Sequence, residues 1–344
     1  MSTPRPTPRH ERWRRLTRRL VSISLVSALW IAWLTLTPLW LPLFGAIDLV
    51  RRRGAIASRC GCMLAAYLTC EVVGLLLAGG LWLGRVAGLI GDEAWQDVHF
   101  RLEAAWGSAL FRSMVAIFGL RIEVEGTEEA RLGEGPFLLL LRHSSIADTL
   151  LASALVSRTN GTRLRYVLKK ELLVDPCLDI VGHRLPNVFV DRGSDDSQYE
   201  IRRIEEIANE LGPVDGVLIY PEGTRHTDAK RARLERRFEA KGDQAMSDYL
   251  RRLSGHVLPP RAGGTLGLLA AAPTADVVFC RHTGFEGVAN LSDVWNGALL
   301  GREIKVRFDR VPRLEIPKEP DLQRRWLFDE WLRTGSWIDA HRLG

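Results

Sequence analysis

The amino-acid sequence predicts an α/β protein, a mixed and largely parallel sheet flanked by helices and preceded by N-terminal membrane-embedded helices. From residue 121 onwards, short apolar runs alternate with segments of helical spacing, which is the pattern of βα units. Upstream of them, residues 21–47 contain no charged side chain. That stretch exceeds the roughly 20 apolar residues that a membrane-spanning helix needs.

Composition divides the chain of 344 residues into three parts. Residues 1–20 form a basic N-terminal segment, in which seven arginines are opposed by Glu11. Residues 21–90 are predicted to be a membrane-embedded helical region, because a second apolar stretch follows the first and is interrupted only by Glu71. Residues 91–344 mix polar and apolar side chains and are predicted to form an α/β domain that faces the cytoplasm.

The topology of the membrane region stays open between a hairpin and two spans. Arginines flank residues 21–47 on both sides, and basic flanks prefer the cytoplasmic side of a membrane. Pro38 and Pro42 are able to break this stretch into a re-entrant hairpin, which the charge pattern favours. Two spans joined by a basic outer loop would also return the chain to the cytoplasm. Both arrangements predict an inner, cytoplasmic membrane with the catalytic domain on its cytoplasmic side.

The net charge of +6 is compatible with nucleic-acid binding. Because the arginines lie beside the apolar stretches, anionic lipid headgroups are the simpler partner, and we expect no nucleic acid. A charged tract at residues 228–241 is interpreted either as a solvated helix face or as a surface for the same headgroups. The five cysteines form no C-x-x-C pair, which agrees with a reducing, cytoplasmic-facing domain.

Seven apolar or alternating segments of the domain predict strands, and several segments between them have helical spacing. The predicted strands lie in residues 121–126, 137–141, 164–172, 187–193, 214–220, 275–280 and 303–308. The predicted helices are residues 95–114, a segment that begins soon after residue 143, residues 199–211 and residues 228–241.

The apolar run Phe137–Leu141 ends just before His143, and Asp148 follows five positions later. The run is short and uninterrupted, so it predicts a strand buried on both faces, with His143 at its carboxyl end. Open α/β sheets bind their ligands at that edge. Across one tight turn, an Asp can hold one imidazole nitrogen protonated and leave the other free to accept a proton. The alternative is a helix N-terminus capped by Ser or Asp beside an uninvolved His.

Other strand ends carry the same kind of polar residue. Lys169, Arg192 and the turn Glu222-Gly223-Thr224-Arg225 each follow an apolar run. If these strands are parallel neighbours, their ends meet at one mouth. Cations with turn amides and a Thr hydroxyl suit a phosphate group, and the His–Asp pair suits deprotonation of a hydroxyl. No second His or carboxylate stands at ligand spacing from His143, so we expect no metal.

Four segments together resemble the motifs of a known family. They are His143-Ser144-Ser145-Ile146-Ala147-Asp148, Phe189-Val190-Asp191-Arg192, Tyr220-Pro221-Glu222-Gly223-Thr224-Arg225 and Val257-Leu258-Pro259-Pro260-Arg261. Their order and spacing are similar to those of the glycerolipid acyltransferases, the group of lysophosphatidic acid acyltransferases, with the H-x4-D motif first. The third segment is the most specific match. The resemblance covers residues 104–308.

The resemblance implies roles for individual residues. His143 would be the general base and Asp148 its orienting partner, while Arg192 and Arg225 would be placed for the phosphate of the acceptor. The substrate-binding residues that it implies are Lys169, Arg192, Glu222, Gly223, Thr224, Arg225 and Pro260. Members of the family use acyl-CoA or acyl-carrier protein as co-substrate, so no further cofactor is expected.

The predicted function is a membrane-bound O-acyltransferase that moves an acyl group from a thioester to 1-acylglycerol-3-phosphate, giving phosphatidic acid. One departure is Arg142, which stands where the family usually has Asn. A different lyso-lipid or hydroxylated lipid is an alternative acceptor. Weaker alternatives are a membrane hydrolase with Ser144 or Ser145 as nucleophile, and a non-catalytic module that binds anionic lipid. The donor, its chain length and the oligomeric state stay open.

Overall fold

The computed structural model describes residues 9–52, 54–190 and 197–342. Within these residues, seven strands form one sheet in the order β1-β7-β6-β2-β5-β3-β4. The strands are β1 (Arg121–Glu125), β2 (Phe137–Leu141), β3 (Arg163–Lys169), β4 (Val188–Val190), β5 (Asp215–Ile219), β6 (Asp276–Thr283) and β7 (Glu303–Val311). Strands β2 to β6 are parallel, and β7 is antiparallel to β6. The prediction of a mixed, largely parallel sheet is therefore confirmed.

Helices cover both faces of the sheet and extend beyond it at the N-terminus. They are α1 (Arg9–Thr35), α2 (Thr37–Arg51), α3 (Ile56–Val86), α4 (Asp92–Phe118), α5 (Pro176–Gly182), α6 (Ser197–Ile207), α7 (Asp228–Ala240), α8 (Gln244–Arg252), α9 (Ala262–Ala271), α10 (Leu291–Trp295) and α11 (Pro320–His341). The sequence reasoning did not anticipate α11, whose Trp331 is buried and donates its indole N–H to the carbonyl of Leu258 at 2.9 Å.

Strand β2 forms the centre of the sheet and positions His143. All five of its side chains are fully buried. Phe137, Leu139 and Leu141 pack into the apolar cluster on one face, and Leu138 and Leu140 pack into the cluster on the other. This alternation follows from the period-2 geometry of a strand. The backbone N–H and C=O groups of β2 are hydrogen-bonded to its parallel neighbours β5 and β6. His143 therefore follows directly on a strand that is buried on both faces.

The segment after His143 differs from the predicted regular helix. It begins with a 3-10 turn at Asp148–Leu150 and continues as a π-helix at Ala152–Arg158. The Asp148 carboxylate accepts hydrogen bonds from residues before the turn, so the chain tightens around that side chain. π-Helical segments are rare and are frequently found at functional sites.

The N-terminal helices form an antiparallel arrangement. The first apolar stretch breaks after Thr35, with Pro38 in the first turn of α2 and Pro42 inside that helix. Trp30 Nε1 donates to Thr69 Oγ1 at 3.1 Å, and Trp33 Nε1 donates to the carbonyl of Gly61 at 3.1 Å, so α1 and α3 run side by side in opposite directions. Residues 12–35 and 56–86 are long and apolar enough to cross a membrane.

Polar contacts attach these helices to the α/β domain. Glu71 of α3 is fully buried, where it accepts from Trp106 Nε1 at 3.0 Å and from the amide of Cys177 at 3.2 Å. At the other side of α5, Arg18 and Arg19 of α1 form ion pairs with the buried Asp179, at 2.9 and 3.2 Å. Glu71 therefore faces neighbouring helices, and part of the basic N-terminal segment binds protein.

Candidate active site

His143 and Asp148 meet at the carboxyl end of β2. Nδ1 of the imidazole lies 3.0 Å from Oδ1 of Asp148, and Oδ2 accepts from the amides of Ser144 and Ser145 at 2.6 and 2.7 Å. Burial disfavours the charged form of this fully buried carboxyl, but the hydrogen bond and charge of His143 and the Ser145 amide outweigh it and lower the Asp148 pKa. An ionised Asp148 holds the proton on Nδ1 and leaves Nε2 as the basic nitrogen.

Glu222 joins three of the motif segments. Its Oε1 accepts from the amide of His143 and its Oε2 from the amide of Leu258, each at 2.9 Å. Glu222 is 2% exposed, and its burial raises the pKa to about 7, an effect that the two amides partly offset. Sequence reasoning expected Glu222 to bind substrate. The structure instead turns both oxygens towards the backbone, where the amides of His143 and Leu258 need an acceptor, so this carboxylate positions His143.

The turn after Glu222 packs against His143. The amide of His226 donates to the carbonyl of His143 at 2.8 Å, and the ring of Tyr220 lies 4.3 Å from the imidazole, centroid to centroid. Gly223 has a φ of +68°, and an added Cβ would lie 2.8 Å from Cδ of Arg261, so both the turn and the close packing require glycine.

Two side chains of this turn face other partners. Thr224 Oγ1 accepts from Lys230 Nζ at 2.8 Å, and Arg225 donates through Nη1 to the carbonyl of Ala289 at 2.6 Å. Both are partly exposed. The turn is therefore fixed at the mouth of the sheet, while its cations remain within reach of solvent.

Arg142, which the sequence marked only as a departure from the family, is fully buried. It donates to the carbonyls of His282 and His256 at 2.6 and 2.8 Å, and it pairs with Glu286. Burial of a guanidinium is costly unless it is paired and hydrogen-bonded, and here both terminal nitrogens have partners while Nε has none among the described residues. Arg142 thus fixes the loop after β6 beside the end of β2.

His282 is a second imidazole beside Asp148, and sequence reasoning missed it. Its Nε2 lies 3.0 Å from the carbonyl oxygen of Arg142 and 3.6 Å from Oδ2 of Asp148. Full burial and the charge of Arg142 lower its pKa, against the opposing charge of Asp148, so the ring is neutral and carries its proton on Nε2. His282 could have been predicted only from the pairing of β6 with β2, because this pairing brings the carboxyl ends of the two strands together.

The remaining predicted residues lie at different places. Lys169 ends β3, which β5 separates from β2, so it is at the same edge about 10 Å from the central strand. Pro260 is buried in the segment that packs on the Glu222 turn. Arg192 lies outside the described residues. Within the described residues, no group of three or more His, Cys, Asp or Glu side chains is arranged to hold a metal ion.

Comparison with known proteins places this geometry in a class. Residues 121–263 match the family model described as Acyltransferase, a span that contains His143, Asp148 and the Glu222 turn. A relative, 1-acyl-sn-glycerol-3-phosphate acyltransferase epsilon of Mus musculus, is 24% identical over 270 residues, which cover 74% of this chain and 71% of the relative. The crystal structure of the 1-acyl-sn-glycerophosphate (LPA) acyltransferase PlsC from Thermotoga maritima aligns with a TM-score of 0.42 at 14% identity, over 79% of this chain and 99% of that one.

The fold and the His–Asp pair therefore define an α/β acyltransferase. The match to the acyltransferase family model covers residues 121–263, the part of the chain that contains the four segments with acyltransferase-like motifs.

Proposed function

We propose that the protein is a membrane-bound O-acyltransferase that transfers an acyl group from a thioester to the hydroxyl of a lysophospholipid, with 1-acylglycerol-3-phosphate as the acceptor and phosphatidic acid as the product. The observation that carries the proposal is the 3.0 Å contact between His143 and Asp148, held at the carboxyl edge of the parallel strands. The choice of 1-acylglycerol-3-phosphate as the acceptor is supported by the mouse relative, which is named for that acceptor.

The reaction would be a direct transfer. His143 Nε2 accepts the proton of the acceptor hydroxyl as the hydroxyl oxygen attacks the thioester carbonyl. Asp148 stabilises the imidazolium that forms. The tetrahedral intermediate then expels the thiolate, the carbon–sulfur bond breaks, and the imidazolium returns its proton to sulfur. Lys169, Arg192 and Arg225 are the residues that we assign to the phosphate of the acceptor.

The hydroxyls beside His143 do not favour a serine nucleophile. Ser145 Oγ donates to the carbonyl of Val288 at 2.8 Å and accepts from the amide of Ala147 at 3.0 Å, so its one proton is already donated. Ser144 Oγ has no hydrogen-bond partner among the described residues. A serine nucleophile needs a hydrogen bond to its base, and neither hydroxyl makes one to His143.

Membrane association follows from the position of the N-terminal helices. Helix α3 contacts both α5 and α10, which follow the carboxyl ends of β3 and β6. The helices therefore lie next to the edge that holds His143. Apolar side chains exposed to the outside occur on these helices and beside that edge, and examples are Leu25, Leu29, Leu76, Leu77, Leu172 and Val174. Such a surface suits a bilayer and places acyl chains near the site.

An acyltransfer assay on the purified full-length protein in liposomes tests the proposal. The protein would be offered 1-acylglycerol-3-phosphate, other lysophospholipids and monoacylglycerol, each with labelled acyl-CoA and with acyl-carrier protein. We expect turnover of the phosphorylated acceptor, and we expect His143→Ala to lower kcat by about 10²–10⁴-fold. His183→Ala is the control and should remain active, because this imidazole contacts Asp179 and not Asp148. Near wild-type transfer by His143→Ala, or acyl hydrolysis without acceptor, would contradict the proposal.

A further inference from the structure

A polar cavity of about 830 Å³ lies on the side of the site where β6 ends and β7 begins. Its lining includes Ser144, the loop that contains Gly284, Gly287 and Ala289, and the cations Arg302 and Arg342. The volume is in the range of small-molecule sites, which is about 300–1,000 Å³. The cavity therefore begins one residue from His143 and continues away from Lys169 on β3.

The inner end of this cavity contains an unused hydrogen-bonding group. Ser144 is 3% exposed and its Oγ, buried from solvent, has no partner among the described residues. Buried hydroxyls are normally hydrogen-bonded, and each exception calls for an explanation. A ligand carbonyl or amide in the cavity would supply the partner.

The carboxylates of the lining are largely occupied. Glu286 accepts from the amide of Gly284 at 2.7 Å and pairs with the buried Arg142, while Asp293 Oδ2 accepts from the amide of Ala289 at 2.8 Å. Glu303 lies 3.6 Å from Lys305. Asp228 is the further carboxylate of the lining.

Two cations of the lining are not paired with a carboxylate. Arg302 Nη1 donates to the carbonyls of Gly284 and Glu286 at 3.0 and 2.8 Å, and neither acceptor carries a charge. Arg342 contacts the ring of His256. Among the described residues, no carboxylate lies within 4.0 Å of either guanidinium. Guanidinium groups without a carboxylate partner are suited to bind a phosphate.

We propose that this cavity binds the phosphopantetheine arm of the acyl donor, with Arg302 and Arg342 at its phosphate and Ser144 Oγ donating to a carbonyl next to the sulfur. The arm is long, carries amide groups along its middle and has a phosphate at one end, which a guanidinium group can bind. The proposal rests on the proposed function for its thioester donor. It brings the donor to His143 from the β6 side, while the acceptor phosphate approaches from the β3 side. Coenzyme A and a carrier protein share this chemistry.

Glutamine variants of the two arginines test the site in the full-length protein. We expect Arg302→Gln and Arg342→Gln each to raise the donor KM by about tenfold, as expected for one lost charge-assisted hydrogen bond, with the acceptor KM unchanged. Arg342 is the cleaner position, because Arg302 also supports the loop. Arg325→Gln is the matched control, since it is exposed on the same helix, α11, about 24 Å from its C-terminal end.

Direct binding separates this site from the catalytic proposal. Equilibrium dialysis with free coenzyme A needs no turnover, and we expect Arg342→Gln to weaken binding by about tenfold while His143→Ala retains it. A donor KM that rises for both acyl-CoA and acyl-carrier protein supports the shared arm, and a rise with one donor alone assigns the source. A rise in the acceptor KM, or unchanged KM for every donor with unchanged coenzyme A binding, would overturn the proposal even if acyl transfer itself is confirmed.

Discussion

Two regions at the carboxyl edge of the sheet hold their polar side chains in different ways. The buried network consists of Arg142, His143, Asp148, Glu222 and His282, and none of these residues is more than 8% exposed. Its members are joined by reciprocal hydrogen bonds to each other and to the backbone. The cationic rim consists of Lys169, Arg225 and Lys230, which are partly exposed. Under the proposed function, the network would hold the proton-transferring groups in one geometry, and the partly exposed side chains of the rim would be free to move towards the phosphate of the acceptor.

Asp148→Asn is the strongest test of the network. Asn can keep its oxygen for the amides of Ser144 and Ser145, and it then presents its NH₂ group to Nδ1 of His143. That hydrogen bond selects the tautomer with the proton on Nε2, so the base is lost with little change in shape. We expect kcat to fall by about 10³–10⁴-fold with the acceptor KM nearly unchanged. Steady-state kinetics and an unchanged melting temperature check this, and a fall of less than tenfold would show that the pair does not act as described.

His282 gives a smaller and more specific effect. Leu removes the donor that lies between the carbonyl of Arg142 and Asp148, whereas Gln can keep an N–H near the position of Nε2. We expect His282→Leu to lower kcat by about tenfold. We also expect the acid limb of the pH profile to move to higher pH, because the polar N–H that lies 3.6 Å from the Asp148 carboxylate is lost and the pKa of Asp148 rises. His282→Gln should restore most of both properties. If kcat fell equally in the two variants and the pH profile did not change, His282 would have only a packing role.

Lys169→Gln tests the rim. The side chain is partly exposed at the end of β3, so its removal should not disturb the network. We expect the KM for 1-acylglycerol-3-phosphate to rise by about three- to tenfold, with kcat nearly unchanged, because one exposed charge contact is lost. Monoacylglycerol, which has no phosphate, is the control acceptor and should show no such rise. A loss confined to kcat would place Lys169 with the network instead.

The smallest effect is on stability at acid pH. Burial and the charge of Arg142 lower the pKa of His226 to about 4, from an ordinary value of 6.5. Between pH 6.5 and about 4 the unfolded chain therefore binds a proton at His226 that the folded chain does not bind. The free energy of unfolding that this residue contributes above pH 6.5 is lost as the pH falls to about 4. Glu222, whose raised pKa is about 7, acts in the opposite direction between pH 7 and 4.5.

His226→Gln isolates the histidine contribution, because Gln can still donate to the carbonyl of Gly255. We expect its melting temperature to fall less than that of the wild type between pH 6.5 and pH 4. Thermal unfolding in detergent at several pH values measures this. Parallel curves for the two proteins would mean that the titration of His226 does not differ between the folded and unfolded states.

Local sequence signals were sufficient to predict the central strand and the pairing of His143 with Asp148. Five consecutive apolar residues predict β2 because burial on both faces leaves no polar position, and the spacing of His143 and Asp148 spans one turn. The contact that His282 makes with the carbonyl of Arg142 joins residues 140 positions apart, and no local pattern reports such a pairing. The role of Glu222 was also hidden, since its position in the motif does not say whether the carboxylate faces the mouth or the backbone.

Helix-forming patterns were less informative where one side chain reorganises the backbone. The apolar spacing after His143 predicts a regular helix, but Asp148 draws two preceding amides to itself and the chain adopts 3-10 and π geometry. Helix α11 is not among the predicted helices, although its Trp331 packs beneath the proline-containing segment and donates to the carbonyl of Leu258.

The ion pairs of Arg18 and Arg19 with Asp179 have a mechanical consequence. Together with the Glu71 contacts they attach the apolar helices to the α/β domain at several points. Protein contacts therefore set the distance between these helices and the edge that holds His143. If those helices lie in the bilayer as proposed, a substrate needs to rise only by the length of its headgroup while its hydrocarbon stays in the leaflet. Turnover would then depend on the mole fraction of substrate in the surface and not on its bulk concentration.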